Sequence, residues 1–146
     1  MTFRRVLALL AVALLVISLA GCGDETANPG TETTVEAAEN TPQPAPEALL
    51  QAISSSEEQG VGMKPVRGMI VRSKDFEKMY FVAMEFSATG VDNQVGVWAT
   101  NESAGTGMIM AVDGTAQAFT VWPAGDKTDA NVSMSDDGAQ EAKDAL

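Results

Sequence analysis

Residues 48–146 predict a small α+β domain, an antiparallel sheet of about three strands packed against two or three helices. Three observations carry this. Strand-like runs occupy 67–73, 78–87 and 94–100, separated by turn-rich links. A helical composition opens the segment at Glu47–Ile53, and a thin apolar stripe, Ala139, Ala142 and Leu146, closes it. The roughly 99 residues involved are close to the common size of one domain, and no internal repeat is visible.

The chain of 146 residues opens with Arg4 and Arg5, followed by fourteen residues from Val6 to Leu19 that are apolar except Ser18. A cationic head before a short apolar run is the layout of a secretory signal. The run is shorter than the roughly 20 residues a membrane-crossing helix needs. It ends at Leu19-Ala20-Gly21-Cys22, and Cys22 is the only cysteine. These four residues resemble the lipobox of bacterial lipoproteins at every position. The resemblance covers residues 1 to about 24. It implies a signal peptide over 1–21, cleavage between Gly21 and Cys22, and a diacylglyceryl thioether on Cys22. Two or more acyl chains hold a protein stably at a bilayer where one binds marginally. The expected mature protein is lipid-anchored at the cell membrane, facing the extracytoplasmic side. It has no disulfide, since Cys22 is consumed.

Residues 22–47 then read as a disordered tether. The stretch "GDETANPGTETTVEAAENTPQPAPE" has no aromatic residue, too little apolar surface to offset the entropy of ordering. Pro42, Pro44 and Pro46 alternate, which favours an extended, stiff segment. Charge is uneven as well: from Asp24 to Glu58 there are eight acidic residues and no basic one. The net charge of the whole chain is −11. From Gln59 onward seven basic and twelve acidic residues give a net of −5, and a domain this acidic is repelled by nucleic acid and by anionic lipid, so no nucleic-acid partner is expected.

Within the domain, "EALLQAI" puts Leu49, Leu50 and Ile53 on one side of a helix, which Ser54-Ser55-Ser56, Gly60 and Gly62 end. The first strand is Arg67–Ser73. The second, "KMYFVAMEFS" over Lys78–Ser87, sets Tyr80, Val82, Met84 and Phe86 on one face and Met79, Phe81, Ala83 and Glu85 on the other. Both faces are largely apolar, which predicts a central strand covered on both sides. "ATGVDN" has hairpin length and leads to the third strand, Gln94–Thr100, with Val95, Val97 and Ala99 together.

Residues 107–122 admit two readings. Asp113-Gly114 suits a two-residue hairpin turn between strands 108–112 and 115–121. Alternatively Ile109, Val112, Ala116 and Phe119 fall at helical spacing, with Thr106 as cap and Pro123 as stop. The unbroken spacing favours helix, against a cost of roughly 1 kcal/mol for Gly114 relative to Ala. A last helix is predicted to start at Ser135, with Asp136 and Asp137 at its positive dipole end.

Little catalytic chemistry is legible. The chain contains no histidine, which removes the usual general base and every Ser-His or Cys-His arrangement. No phosphate-binding glycine loop and no Ser-x-x-Lys occurs. Glu85, inside an apolar strand, reads as an edge-facing or salt-bridged residue, with Arg72 a candidate partner; the alternative is a buried carboxylate whose raised pKa suits acid–base work. Asp126, Asp129, Asp136 and Asp137 match no calcium loop and read as caps and turns. The seven domain methionines and the two tryptophans, Trp98 and Trp122, read as core. Asn131-Val132-Ser133 fits a glycosylation sequon, which a bacterial lipoprotein rarely uses. Lys64, Arg67, Arg72, Lys74 and Lys78 hold five of the domain's seven cations within fifteen residues. They are candidates for one anion-binding patch that takes an anionic envelope polymer, a lipid headgroup or the chain's own acidic tether.

Catalytic residues, metal and cofactors are expected to be absent. Composition also resembles small lipoproteins of the actinobacterial type, a looser match than the lipobox and one that carries no assigned activity. The expectation is therefore a non-catalytic, lipid-anchored envelope protein that binds a ligand or a protein partner. The alternatives are a carboxylate-dependent enzyme such as a wall-glycan hydrolase, whose mark is a cleft with two carboxylates about 5–10 Å apart, and a purely structural envelope protein, marked by a bare apolar sheet face.

Overall fold

The structure, a computed structural model, describes residues 40–146. The expected signal peptide, Cys22 and the expected tether up to residue 39 lie outside the described residues. The fold is α+β: a five-stranded antiparallel sheet with three helices, in the order β1 (Gln43–Pro44), α1 (Glu47–Ser54), β2 (Lys64–Arg72), β3 (Tyr80–Ala88), β4 (Val91–Thr100), β5 (Ile109–Ala111), α2 (Gly114–Phe119) and α3 (Ala139–Asp144). A 3-10 turn covers Gly125–Lys127. The strands lie in sequence order, a meander in which each pairs with its neighbour in the chain.

Beta3 is central, as its two apolar faces predict. Tyr80, Val82, Met84 and Phe86 face a core completed by Leu49, Leu50 and Ile53 of α1, Ala116 and Phe119 of α2, and Trp98 of β4. Met79, Phe81 and Ala83 face a second core with Val97, Ala99, Met110, Val132 and, from α3, Ala139 and Ala142. The sheet is thus the middle of three layers, and each apolar side chain along β3 alternates between two separate cores. Fully burying a large apolar side chain stabilises by about 1.5–3 kcal/mol, so this strand concentrates much of the fold's driving force.

Five expectations need correction. The sheet has five strands rather than about three, because both edge strands are very short. The first of these, β1, lies inside the segment expected to be tether: Gln43 pairs with Ile70, Pro44 with Met69, and Ala45 N–H donates to Gly68 O at 2.9 Å. An edge strand tolerates proline where its missing N–H would face outward. The folded body therefore begins before Ala48.

Residues 107–122 are neither one helix nor a hairpin. Beta5 covers Ile109–Ala111, and α2 starts only at Gly114. Asp113, not Thr106, caps it, its Oδ1 accepting from Ala116 N–H at 2.8 Å. Thr106 instead donates to Glu102 Oε2 at 2.6 Å. The spacing misled because Val112 points into the second core while Ile109, Ala116 and Phe119 point into the first.

The last helix starts at Ala139, not Ser135. Asp136 Oδ2 accepts from Ser133 N–H at 2.6 Å, closing a turn, and Gly138 has φ 95°, a left-handed conformation outside the helix. Finally, the Glu85 partner is Arg67, not Arg72. A bulge at Val66 sets Arg67 opposite Glu85, and Arg72 opposite Tyr80 on the other face.

Candidate functional site

Arg67 Nε lies 2.6 Å from Glu85 Oε2. Lys74 Nζ lies 3.1 Å from Asp137 Oδ2 and 3.8 Å from Glu141 Oε1. Its hydrogen bond with Asp137, then the charges of Asp137 and Glu141, hold the Lys74 pKa above the ordinary value of 10.5, with desolvation opposing and Asp75 adding slightly. Arg72 donates to the Glu77 carbonyl at 3.0 Å. Lys64 starts β2, and Lys78 sits exposed in the β2–β3 link.

These five cations do not gather. At about 3.3 Å per residue, Lys64 and Arg72 stand about 25 Å apart along β2. Arg67 and Arg72 point to opposite faces of the sheet, as their partners Glu85 and Tyr80 do. Arg72, Lys74 and Lys78 share one end of the strand pair, while Lys64 and Arg67 share the other.

Several carboxylates are also committed. Asp113 joins three elements: Oδ1 accepts from Val97 N–H at 3.2 Å as well as from Ala116 N–H, and Oδ2 lies 3.2 Å from Lys143 Nζ. Asp126 pairs with Lys127 at 3.0 Å. Among the described residues, no group of three or more His, Cys, Asp or Glu is placed to hold a metal ion, and no helix is long and apolar enough to cross a membrane.

Met63, Met79, Met84 and Met110 are buried, whereas Met108 is exposed. Trp98 is fully buried, its Nε1 donating to Thr120 Oγ1 at 3.2 Å, and Trp122 Nε1 donates to Ile53 O at 3.0 Å. Both indoles close the core between the sheet and its helices. Asn131 is exposed at φ 48°, and Val132 after it is fully buried.

What sequence reasoning missed is the outer edge of β2. There β1 crosses from the Tyr80 end toward α1, leaving a groove on either side. One is a niche of about 100 Å³ lined by Gln43, Pro44, Pro46, Ile70, Arg72, Tyr80 and Ser103. The other, about 350 Å³, continues along the same edge past Ala45 to Gly68, Arg67, Val66 and Pro65, walled by Leu50 and Gln51 of α1. The alternating prolines were the available signal, since an extended segment with alternate N–H groups suits a sheet edge as well as a tether.

The architecture defines a class: a three-layer α/β-sheet/α domain with a meander sheet and a segmented groove along one edge. No protein-family model matches the chain, and no curated protein or solved structure is significantly similar to it.

Proposed function

We propose that this protein is a lipid-anchored component of a bacterial cell envelope, held to the extracytoplasmic side of the cell membrane through Cys22, whose small α+β domain binds a partner without catalysis. The observation that carries the anchoring is the run Leu19-Ala20-Gly21-Cys22 behind a cationic head and a fourteen-residue, almost wholly apolar stretch. Supporting the binding role, Glu85 and Asp113 are each engaged by a cation and hold elements together, which is a structural use of a carboxylate. The grooves along β2 offer backbone and apolar surface of the kind that receives a chain segment.

Replacing Cys22 with Ser tests the anchor. The expected result is release from the membrane fraction or accumulation of unprocessed precursor. Retention of a correctly processed Cys22→Ser chain on membranes overturns the assignment.

A further inference from the structure

We propose that the niche beside Arg72, at the end of β2, is a binding site for a short aliphatic carboxylate, with residues 43–46 staying in place as one of its walls. The inference rests on reading the domain as a binding module and names a site on it and the chemistry of its ligand.

Strand register builds the site. Arg72 lies directly opposite Tyr80 and Ile70 opposite Val82, so alternation puts Ile70, Arg72 and Tyr80 on one face of the sheet. That face carries the first core, which includes Ile70 and takes Tyr80 against it. Beta1, paired to the outer edge of β2, brings Pro44 and Pro46 alongside, and Ser103 from the β4–β5 link completes the lining. The pairing of β1 fixes a wall and leaves about 100 Å³ within it.

The charge at this place is unlike the rest of the domain. Arg67, Lys74, Lys127 and Lys143 each stand 2.6–3.2 Å from a carboxylate oxygen. Arg72 is half-buried in a chain of net charge −11, yet among the described residues no carboxylate pairs with it. Its bond is from Nη2 to the Glu77 carbonyl at 3.0 Å. A guanidinium has five N–H donors, so a two-pronged fork is still available. The hydroxyls of Tyr80 and Ser103 also bond to no other described residue.

These features select the ligand. A partly desolvated guanidinium favours an anion, and its planar fork matches the two oxygens of a carboxylate. The prolines, Ile70 and the Tyr80 ring favour an alkyl group and disfavour an anion that must keep its water. The volume equals the liquid share of about three waters, which limits the alkyl part to a short stub. Apolar walls with a few convergent polar groups are the general form of a small-molecule site.

The test follows amide shifts of the full chain during titration with propionate at constant ionic strength. Saturable shifts at Ile70, Arg72, Tyr80 and Ser103 are expected, with a dissociation constant of about 1 mM. Propionamide, the same shape without the charge, and inorganic phosphate, a charge without the alkyl group, should each bind at least about tenfold more weakly. Arg72→Gln should weaken propionate at least about tenfold. Arg67→Gln, which removes the same charge from the opposite face, should leave it unchanged. The proposal is overturned if the folded chain shows no saturable shift at these residues, if propionamide or phosphate binds as tightly as propionate, or if both arginine variants weaken binding equally.

Should Arg72→Gln not fold, the side-chain nitrogen resonances of Arg72 in the unaltered chain decide. They must move with the dissociation constant that the amides report, and resonances that stay still overturn the proposal. Membrane fractionation of Cys22→Ser is read separately, so failed anchoring leaves these results untouched. An anchored chain that takes another partner but no propionate overturns this site and leaves the binding role standing.

Discussion

Lys143 and Asp113 join the two helical layers around one end of the sheet. The ammonium of α3 lies 3.2 Å from a carboxylate whose other oxygen caps α2 and holds the Val97 amide of β4. The Asp113 side chain is 10% exposed and that of Lys143 38%, so the acidic partner is the more dependent of the two. Asp113→Ala removes a helix cap, worth about 1 kcal/mol, and leaves an amide short of its acceptor, costing about 1–3 kcal/mol. A loss of about 2–3 kcal/mol in urea denaturation is expected. Lys143→Met should cost less than about 1 kcal/mol, as partly exposed pairs do. Equal losses in the two variants would show that the ion pair, not the cap, dominates.

Two glycines should respond in opposite directions. A Cβ at Gly96 would lie 2.4 Å from Trp98 Cη2, inside a fully buried indole. Gly96→Ala is expected to cost about 1–3 kcal/mol by overpacking. A Cβ at Gly114 meets nothing within 4 Å, and this residue sits in the first turn of α2. Gly114→Ala is expected to stabilise by about 0.5–1 kcal/mol. Thermal melts of the two variants check both signs at once.

Thr120 holds two buried bonds, accepting from Trp98 Nε1 at 3.2 Å and donating to Ala116 O at 2.7 Å. Thr120→Val keeps the shape but leaves the indole N–H without its partner, a cost of about 1–3 kcal/mol. Pairing it with Trp98→Phe, which removes the donor, should give a double-mutant penalty smaller than the sum of the singles. Strict additivity would show that the two groups do not interact.

Alkaline pH should loosen the α3 end selectively. The pKa of Lys74 is raised in the folded chain, so its pairing contributes fully below the ordinary value of 10.5 and is lost as pH rises through the higher folded value. Lys74→Gln should therefore remove part of the alkaline fall in stability and leave the profile between pH 6 and pH 9 parallel to that of the unaltered chain. Identical alkaline profiles would rule out this contribution.

The long elements were legible because their period is unmixed. The sequence reads a two-faced strand over Lys78–Ser87, the structure places β3 at Tyr80–Ala88, and each face meets the core its alternation predicts. Helix α1 likewise buries Leu49, Leu50 and Ile53. Short elements defeated the same reading: three residues of β5 and six of α2 share one window, and their apolar positions imitate a single helix. Pairing across strands was hidden for a different reason. The bulge at Val66 shifts the register, and no local pattern separates Arg67 from Arg72 as the partner of Glu85. The edge groove escaped because a two-residue strand has no periodicity to detect.

The meander order carries a consequence for assembly. Every strand pairs with the one that precedes it in the chain, and β3 and β4 are joined through Thr89-Gly90 alone. From β2 to β5 sheet formation can then follow the order in which a polypeptide emerges, with little entropy lost to closing long loops, while β1 joins across the α1 connection. Distant sequence is needed to seal the layers: Val121 N–H reaches Ser56 O, Trp122 Nε1 reaches Ile53 O, and Ala139 and Ala142 of α3 cover Phe81 and Ala83. A chain delivered through a narrow pore would thus acquire its central layer before its final stretch has left the channel.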